Sequence, residues 1–233
     1  MRLAVLSDVH GNYTALEACV ARLDGMGIDE RVFVGDAVGY LPDAADCLAR
    51  LAAEGFACQQ GNHEAMLLDP TAVAPEKEAV YGLAEARSQL SAEALAAVAA
   101  WPRSRELERN GRRILLVHGA PDDPLEGYVY PDADLSGWDA LPYDAVFMGH
   151  THRPFAARSG RTLIVNAGSV GLPRDVGNLA SFAVYDTEAD TAHHYRVAYD
   201  VDAVLRAVGD TVHQSTADCL RRRADRFVGE VLA

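Results

Sequence analysis

Five times within its first 152 residues the chain runs a short apolar segment straight into a cluster of Asp, Asn or His. Leu3-Ala4-Val5-Leu6 leads into Ser7-Asp8-Val9-His10-Gly11-Asn12, Arg31-Val32-Phe33-Val34 into Gly35-Asp36, and Phe56-Ala57-Cys58-Gln59 into Gly61-Asn62-His63-Glu64. Residues 112–117 then deliver His118-Gly119, and residues 144–148 deliver Gly149-His150-Thr151-His152. Short apolar runs bounded by turn residues read as buried strands. Taken alone, Asp8 and His10 fit either a metal site, which alternation allows if the strand persists, or a solvated loop. The recurrence of the pattern decides for the first.

Helical segments separate the first three clusters. Thr14-Ala15-Leu16-Glu17 has capping-box form, and Leu16, Val20 and Leu23 recur at helical spacing before Gly25 and Gly27. Pro42 suits a first helical position, and the Ala/Leu-rich stretch 43–54 ends at Gly55, where a left-handed cap is expected. This βαβαβ order predicts a mostly parallel sheet whose carboxyl-end loops share one edge. Residues 75–101 show helical periodicity with Ser91 capping the second of two helices, and no catalytic content. Asn110-Gly111 predicts a hairpin between 105–109 and 112–117. A long loop with Pro121, Pro124, Gly127 and Pro131 suits a cover over a site, with Tyr128 and Tyr130 as candidate lining residues. Segments 154–158, 161–165, 181–186 and 193–198 read as a β-meander, so a second sheet is predicted. The tail 201–231 reads as two helices broken near Gly209, with Arg221-Arg222-Arg223 on a solvated face rather than at a phosphate. One domain, 1–233, is the simplest reading.

The formal net charge of −13 argues against duplex nucleic acid and anionic lipid as partners, and a phosphate-bearing substrate needs a local positive centre. The collected groups Asp8, His10, Asp36, Asn62, His63, His118, His150 and His152 hold five of the eight histidines. Oxygen and imidazole donors without thiolates suit manganese, iron, zinc, cobalt or nickel. They are too many for one tetrahedral ion and enough for two. Two ions about 3.5–4 Å apart can share a hydroxide and bind phosphate oxygens, leaving about one net positive charge after two aspartates are counted. Cys19, Cys47, Cys58 and Cys219 lack paired spacing, so neither disulfides nor a zinc-thiolate site is predicted. With no spanning apolar run and no signal-like start, a soluble cytoplasmic protein is expected. His193, His194 and His213, outside the clusters, read as hydrogen-bonded or exposed.

Asp8-Val9-His10, Gly35-Asp36, Gly61-Asn62-His63-Glu64, His118-Gly119 and Gly149-His150-Thr151-His152 together resemble the five motifs of calcineurin-like metallophosphoesterases. Asn166-Ala167-Gly168-Ser169-Val170-Gly171 resembles the segment that follows them in small prokaryotic phosphodiesterases. The resemblance implies an α/β fold, a four-layer α/β/β/α sandwich of two mixed sheets with a dinuclear site at their edge. It implies Asp8, His10, Asp36 and His152 on one metal and Asp36, Asn62, His118 and His150 on the other, with Asp36 as the bridge. Alternation alone would send His150 and His152 to the same ion. It also makes His63 a non-ligand that protonates or stabilises the leaving oxygen, which suits an imidazolium whose proton is available near neutral pH. Two divalent ions, manganese first, are the expected cofactors.

Protein serine/threonine phosphatases of that superfamily have Asp-Arg where this chain has Gly39-Tyr40. Losing that forked donor shifts the expectation towards phosphodiesters of a small, nucleotide-derived substrate, with Tyr40 stacking on a base or aromatic leaving group. Arg174 replaces the donor if its loop folds over the cluster. Asn12 and Glu64 fit either ligand support or turn formation, and Asn12, Tyr40 and Arg174 are the candidate substrate contacts. The alternative is a phosphomonoesterase, including a protein phosphatase. A non-catalytic scaffold is disfavoured because every motif ligand and His63 are present. An exposed edge in the second sheet would support a homo-oligomer.

Overall fold

The computed structural model describes residues 1–232. The first three apolar runs form β1 (Arg2–Leu6), β2 (Glu30–Phe33) and β3 (Ala57–Cys58), paired in parallel in that order. Their crossovers are α1 (Tyr13–Leu23) and α2 (Ala44–Ala53). The cap of α1 is Asn12, whose side chain accepts from Ala15 N at 3.1 Å, so the Thr14 capping box is not used. A short amide side chain directly after Gly11 reaches the free N–H groups one turn earlier. Pro42 precedes the Asp43 cap of α2 instead of occupying its first turn. Gly55 takes the positive φ, 68°, expected of it.

Helix α3 (Asn62–Leu68) begins inside the third polar cluster and was not foreseen. Three helices, α4 (Pro75–Tyr81), α5 (Leu83–Gln89) and α6 (Ala92–Ala99), stand where two were expected, because Gly82 turns left-handed with φ 61° between the first two. Strands β4 (Ser104–Arg109) and β5 (Arg112–Val117) form the hairpin, with Asn110 and Gly111 at φ 50° and 72° as its turn requires. Next come β6 (Ala145–Met148), β7 (Phe155–Ser159) and β8 (Thr162–Asn166). The second sheet has order β4-β5-β6-β8-β7, with β5, β6 and β8 parallel.

The meander divides between the sheets. Strands β9 (Leu179–Asp186) and β10 (Thr191–Ala198) return to the first sheet, where β9 lies antiparallel to β1. After α7 (Val201–Val208) and α8 (Gln214–Arg221), the tail ends in β11 (Glu230–Leu232), a strand where helix was predicted. The first sheet therefore runs β11-β10-β9-β1-β2-β3.

Alternation sorts the side chains into layers. Leu3 and Val5 meet Ile114, Leu116, Phe147 and Val165 between the two sheets. Ala4 and Leu6 face the other way, under Leu16, Val20 and Leu51 of the helices. The outer face of the second sheet, Leu115, Val117, Val146 and Ile164, is covered by residues 119–143 through Val129, Leu135 and Trp138. The molecule is thus a mixed α/β sandwich of two mixed sheets with eight α-helices among the described residues, its fourth layer being irregular with a 3-10 turn at Ser136–Trp138. No helix is long and apolar enough to cross a membrane.

Candidate metal centre

All five polar clusters sit at carboxyl ends of parallel strands, and there the backbone turns sharply. Asp8, His10, Asp36, His150 and His152 have φ of 55°, 51°, 65°, 65° and 57°, a region non-glycine residues rarely enter. Strand geometry does not persist past Leu6, so Asp8 and His10 converge through this turn and not by alternation. Asp8 Oδ1 and His10 Nε2 lie 3.7 Å apart. The motif glycines allow the close approach. A Cβ at Gly61 would overlap the Asp36 carboxylate, and one at Gly149 would overlap Ser7 Oγ and the Asp8 carboxylate.

Three imidazoles are oriented by backbone carbonyls. Nδ1–H donates to Val38 O from His10 at 3.1 Å, to Val34 O from His118 at 3.0 Å and to Leu172 O from His152 at 2.7 Å. In the neutral ring each Nε2 then turns its lone pair inward, the tautomer of a metal ligand. His10 Nε2 and His152 Nε2 are 3.1 Å apart, and His152 Nε2 is 3.3 Å from Asp8 Oδ1. His118 Nε2 stands 3.2 Å from Asp36 Oδ2 and 3.1 Å from Asn62 Oδ1, and buried His150 Nε2 has no partner. Donor atoms of Asp8, His10 and His152 gather within 4.8 Å of one another, as do those of Asp36, His118 and His150, and those of His10, Asp36 and His63. Facing lone pairs and buried carboxylates repel unless cations lie among them, so this donor set fits divalent metal ions. Asp36 is shared by the last two of these groups, its Oδ2 lying 3.2 Å from His118 Nε2 and 3.7 Å from His10 Nε2.

Electrostatics follow from burial. Burial pushes the Asp8 and Asp36 carboxyls up, yet His152 beside Asp8 and His118 beside Asp36 help hold both below the usual carboxylate range. Burial lowers His118, but the charge and hydrogen bond of Asp36, with the charges of Asp8 and Glu64, together outweigh it and raise the imidazole to about 9, a proton that a cation at Nε2 would displace. His63 is driven down to about 4 by burial, against the opposing charge of Asp36. Burial therefore works against the imidazolium expected near neutral pH, and the Asp36 carboxylate works for it.

Glu64 supports the ligand turns. Its Oε2 accepts from Asp36 N at 2.7 Å and Gly61 N at 2.8 Å, and its Oε1 from Ala37 N at 2.7 Å. Burial and Asp36 push its pKa up to about 7, while the Gly61 and Asp36 amides oppose them. The Asp36 carboxylate in turn accepts from His63 N at 2.8 Å, and the Asp8 carboxylate from His150 N at 3.1 Å.

Asn12 is 1% exposed, and its amide nitrogen donates to Gly171 O at 2.8 Å while its oxygen caps α1. Both ends of the amide are used inside the fold, so the expected substrate contact is corrected to a structural pin. It holds the 166–171 segment, where Ser169 Oγ also donates to Asp8 O at 2.7 Å.

Tyr40, Tyr81, Tyr128 and Arg174 line the cavity over Asp36, Asn62, His63, His150 and His152. The Tyr40 ring stacks on His63 at 5.1 Å, and Tyr128 lies 4.1 Å from the His150 ring, with Tyr130 stacked behind it. Arg174 lines this cavity; its backbone N–H donates to His152 O at 3.2 Å, and its charge opposes the burial that raises the Tyr40 phenol. Tyr81, 4.6 Å from the His63 ring, lies in the stretch read as packing alone. Its signal was an aromatic residue directly before the helix-ending Gly82. His193 is exposed, His194 Nε2 is bonded to Asn166 O at 2.7 Å, and His213 caps α8. A larger apolar groove of about 440 Å³ between α2 and α6 holds only Cys58 as a titratable group, its thiol pushed up to about 12 by burial.

Residues 1–190 match the family model described as the calcineurin-like phosphoesterase superfamily domain. An uncharacterised protein of Methanocaldococcus jannaschii is 28% identical over 218 residues, 85% of this chain and 88% of that protein. Among solved structures, a hypothetical protein of Pyrococcus horikoshii OT3 superposes with a TM-score of 0.83 at 20% identity, covering 95% of this chain and 98% of its own. A metallophosphoesterase from Sphaerobacter thermophilus gives 0.77 at 26% identity, covering 94% and 98%.

Proposed function

Because the chain belongs to the calcineurin-like phosphoesterase superfamily and its strand ends gather buried histidines and carboxylates, we propose that it is a dinuclear-metal phosphoesterase preferring small, nucleotide-derived phosphodiesters. The carrying observation is the set of carbonyl-oriented imidazoles whose Nε2 lone pairs converge on Asp8 and Asp36. Asp8, His10, Asp36 and His152 would hold one cation, and Asp36, Asn62, His118 and His150 the other, with manganese the proposed metal. When bound, such ions lower the pKa of water and offset charge on phosphoryl oxygens.

The remaining work falls to the chain. Arg174 offers a guanidinium to a non-bridging phosphate oxygen, and the rings of Tyr40, Tyr81 and Tyr128 narrow the cavity and exclude water. One guanidinium among three aromatic rings supports a singly charged diester over a monoester dianion. His63 stands against Tyr40 and Tyr81, where it donates an N–H to the leaving oxygen. The negative charge of bound substrate favours its protonation.

The test assays manganese-loaded protein with bis(p-nitrophenyl) phosphate and p-nitrophenyl phosphate. Faster diester cleavage is expected, and faster monoester cleavage overturns the diester preference. His63→Ala is expected to lower kcat by about 10²–10⁴ while metal content stays constant. Unchanged turnover would remove His63 from the chemistry.

A further inference from the structure

A second cavity, of about 200 Å³, adjoins the metal centre and shares Tyr40 and Arg174 with it. Its other walls include Ser215, Thr216, Cys219 and Arg222, contributed by α8 and the residue after it. Thr216 is 1% exposed, yet its Oγ1 has no hydrogen-bond partner. Buried hydroxyls are normally satisfied, so an orphan in a cavity wall marks a place where a ligand atom completes the bond.

The local charge contrasts with the rest of the molecule. The chain carries a formal net charge of −13, yet three arginines act on one wall of this cavity. Burial raises the Cys219 thiol, and Arg222, Arg174 and Arg153 all oppose that shift. Asp175 also acts on the thiol, but its carboxylate is already held by Arg196 through Nη1 and Nη2 at 2.6 and 2.8 Å. Asp175 is thereby paired, whereas Arg174 and Arg222, which line the cavity, form no salt bridge among the described residues. Arg222 Nη1 donates to Arg174 O at 2.8 Å, which fixes it against the Arg174 loop. A guanidinium keeps further donors for an oxyanion after one is spent in this way.

The position suits the leaving side of the substrate. His63 stacks on Tyr40, the wall common to both cavities, so a leaving group attended by His63 departs towards this one. Resting on the phosphoesterase reading above, we propose that the cavity bounded by Tyr40, Arg174, Thr216 and Arg222 is a leaving-group subsite that selects substrates carrying a second anionic group, phosphate or carboxylate.

Calorimetric titration of the full manganese-loaded chain tests this without turnover. The probes are alkane-α,ω-bisphosphonates of increasing chain length, ω-phosphonoalkanoates, and alkylphosphonates of matched length. At one spacer length a doubly anionic probe is expected to bind about tenfold more tightly than its alkylphosphonate, the scale of one charge-assisted hydrogen bond. A gain confined to bisphosphonates identifies the group as phosphate, and an equal gain from phosphonoalkanoates identifies a general oxyanion site. Arg222→Gln and Thr216→Val are each expected to cut the gain to about threefold or less, with circular dichroism melts confirming that both variants fold. The subsite is overturned if no spacer length improves on the alkylphosphonates, or if the gain survives in Arg222→Gln. Failure of every probe, alkylphosphonates included, overturns the metal-site reading and the subsite with it.

Discussion

Glu64 holds more of the site than its place at the end of Gly-Asn-His-Glu suggests. One carboxylate accepts from the backbone of Asp36, Ala37 and Gly61, so it fixes both the turn that aims Asp36 and the start of the helix that carries Asn62 and His63. Glu64→Gln keeps the shape but turns an amide N–H₂ towards a backbone N–H. Urea unfolding should show a loss of about 1–3 kcal/mol. Manganese titration should show affinity weakened about ten- to a hundredfold, and full affinity would mean the carboxylate is dispensable. A second residue-scale prediction concerns His194, 7% exposed, which burial holds below its ordinary value against the bond to Asn166 O. Its folded pKa is depressed, so the stability of its neutral form is intact above the unfolded value of about 6.5 and is lost as pH falls from there through the folded value. His194→Gln keeps a donor for Asn166 O without titrating. Its stability should therefore fall more gently below pH 6.5, by up to about 1.4 kcal/mol per pH unit, and parallel wild-type and variant curves would refute this. The metal donors themselves were legible as residue types at strand ends. Their orientation was not, because the groups that set it are backbone carbonyls of Val34, Val38 and Leu172, which have no sequence signature.

Elements end where the chemistry begins, and glycines make the join. Gly149→Ala places a methyl against Ser7 Oγ and the Asp8 carboxylate, both carried by the chain just after β1. The end of a central strand cannot move aside, so a loss of about 1–3 kcal/mol is expected in thermal or urea unfolding, with weakened binding at the Asp8, His10 and His152 group. Gly137→Ala is the control, since nothing lies within 4 Å of its added Cβ, and an equal loss there would deny the steric argument. The interior strands were readable because both their faces are buried, which leaves unbroken apolar runs such as Ile114-Leu115-Leu116-Val117. The seven residues of α3 and the three of β11 span too little chain for a period to register. In β11 the strand state comes from its partner β10 across space, which local sequence does not encode.

At the scale of the molecule, the partition of strands between sheets was the part that sequence could not supply. The hairpin β9–β10 carries the same alternation whichever sheet it joins, and only the vacant side of β1 decides the matter. That partition has an energetic consequence. Asp8, His10, Asp36 and Asn62 follow strands of the first sheet, whereas His118, His150 and His152 follow strands of the second. Cations held among them, as proposed, would link the two sheets at one edge and bind only the native state. Mass action then stabilises the fold by about 2.7 kcal/mol per site at a free metal concentration one hundred times Kd. Chelator treatment should therefore lower the Tm of the whole molecule, and manganese should restore it in a concentration-dependent way. His150→Ala removes a donor from only one of the two proposed ion sites, so it should retain part of the manganese-dependent rise. A Tm indifferent to chelator and to manganese would mean that no native-state cation links the sheets, whereas complete loss of the rise in His150→Ala would mean that the two sites do not bind independently.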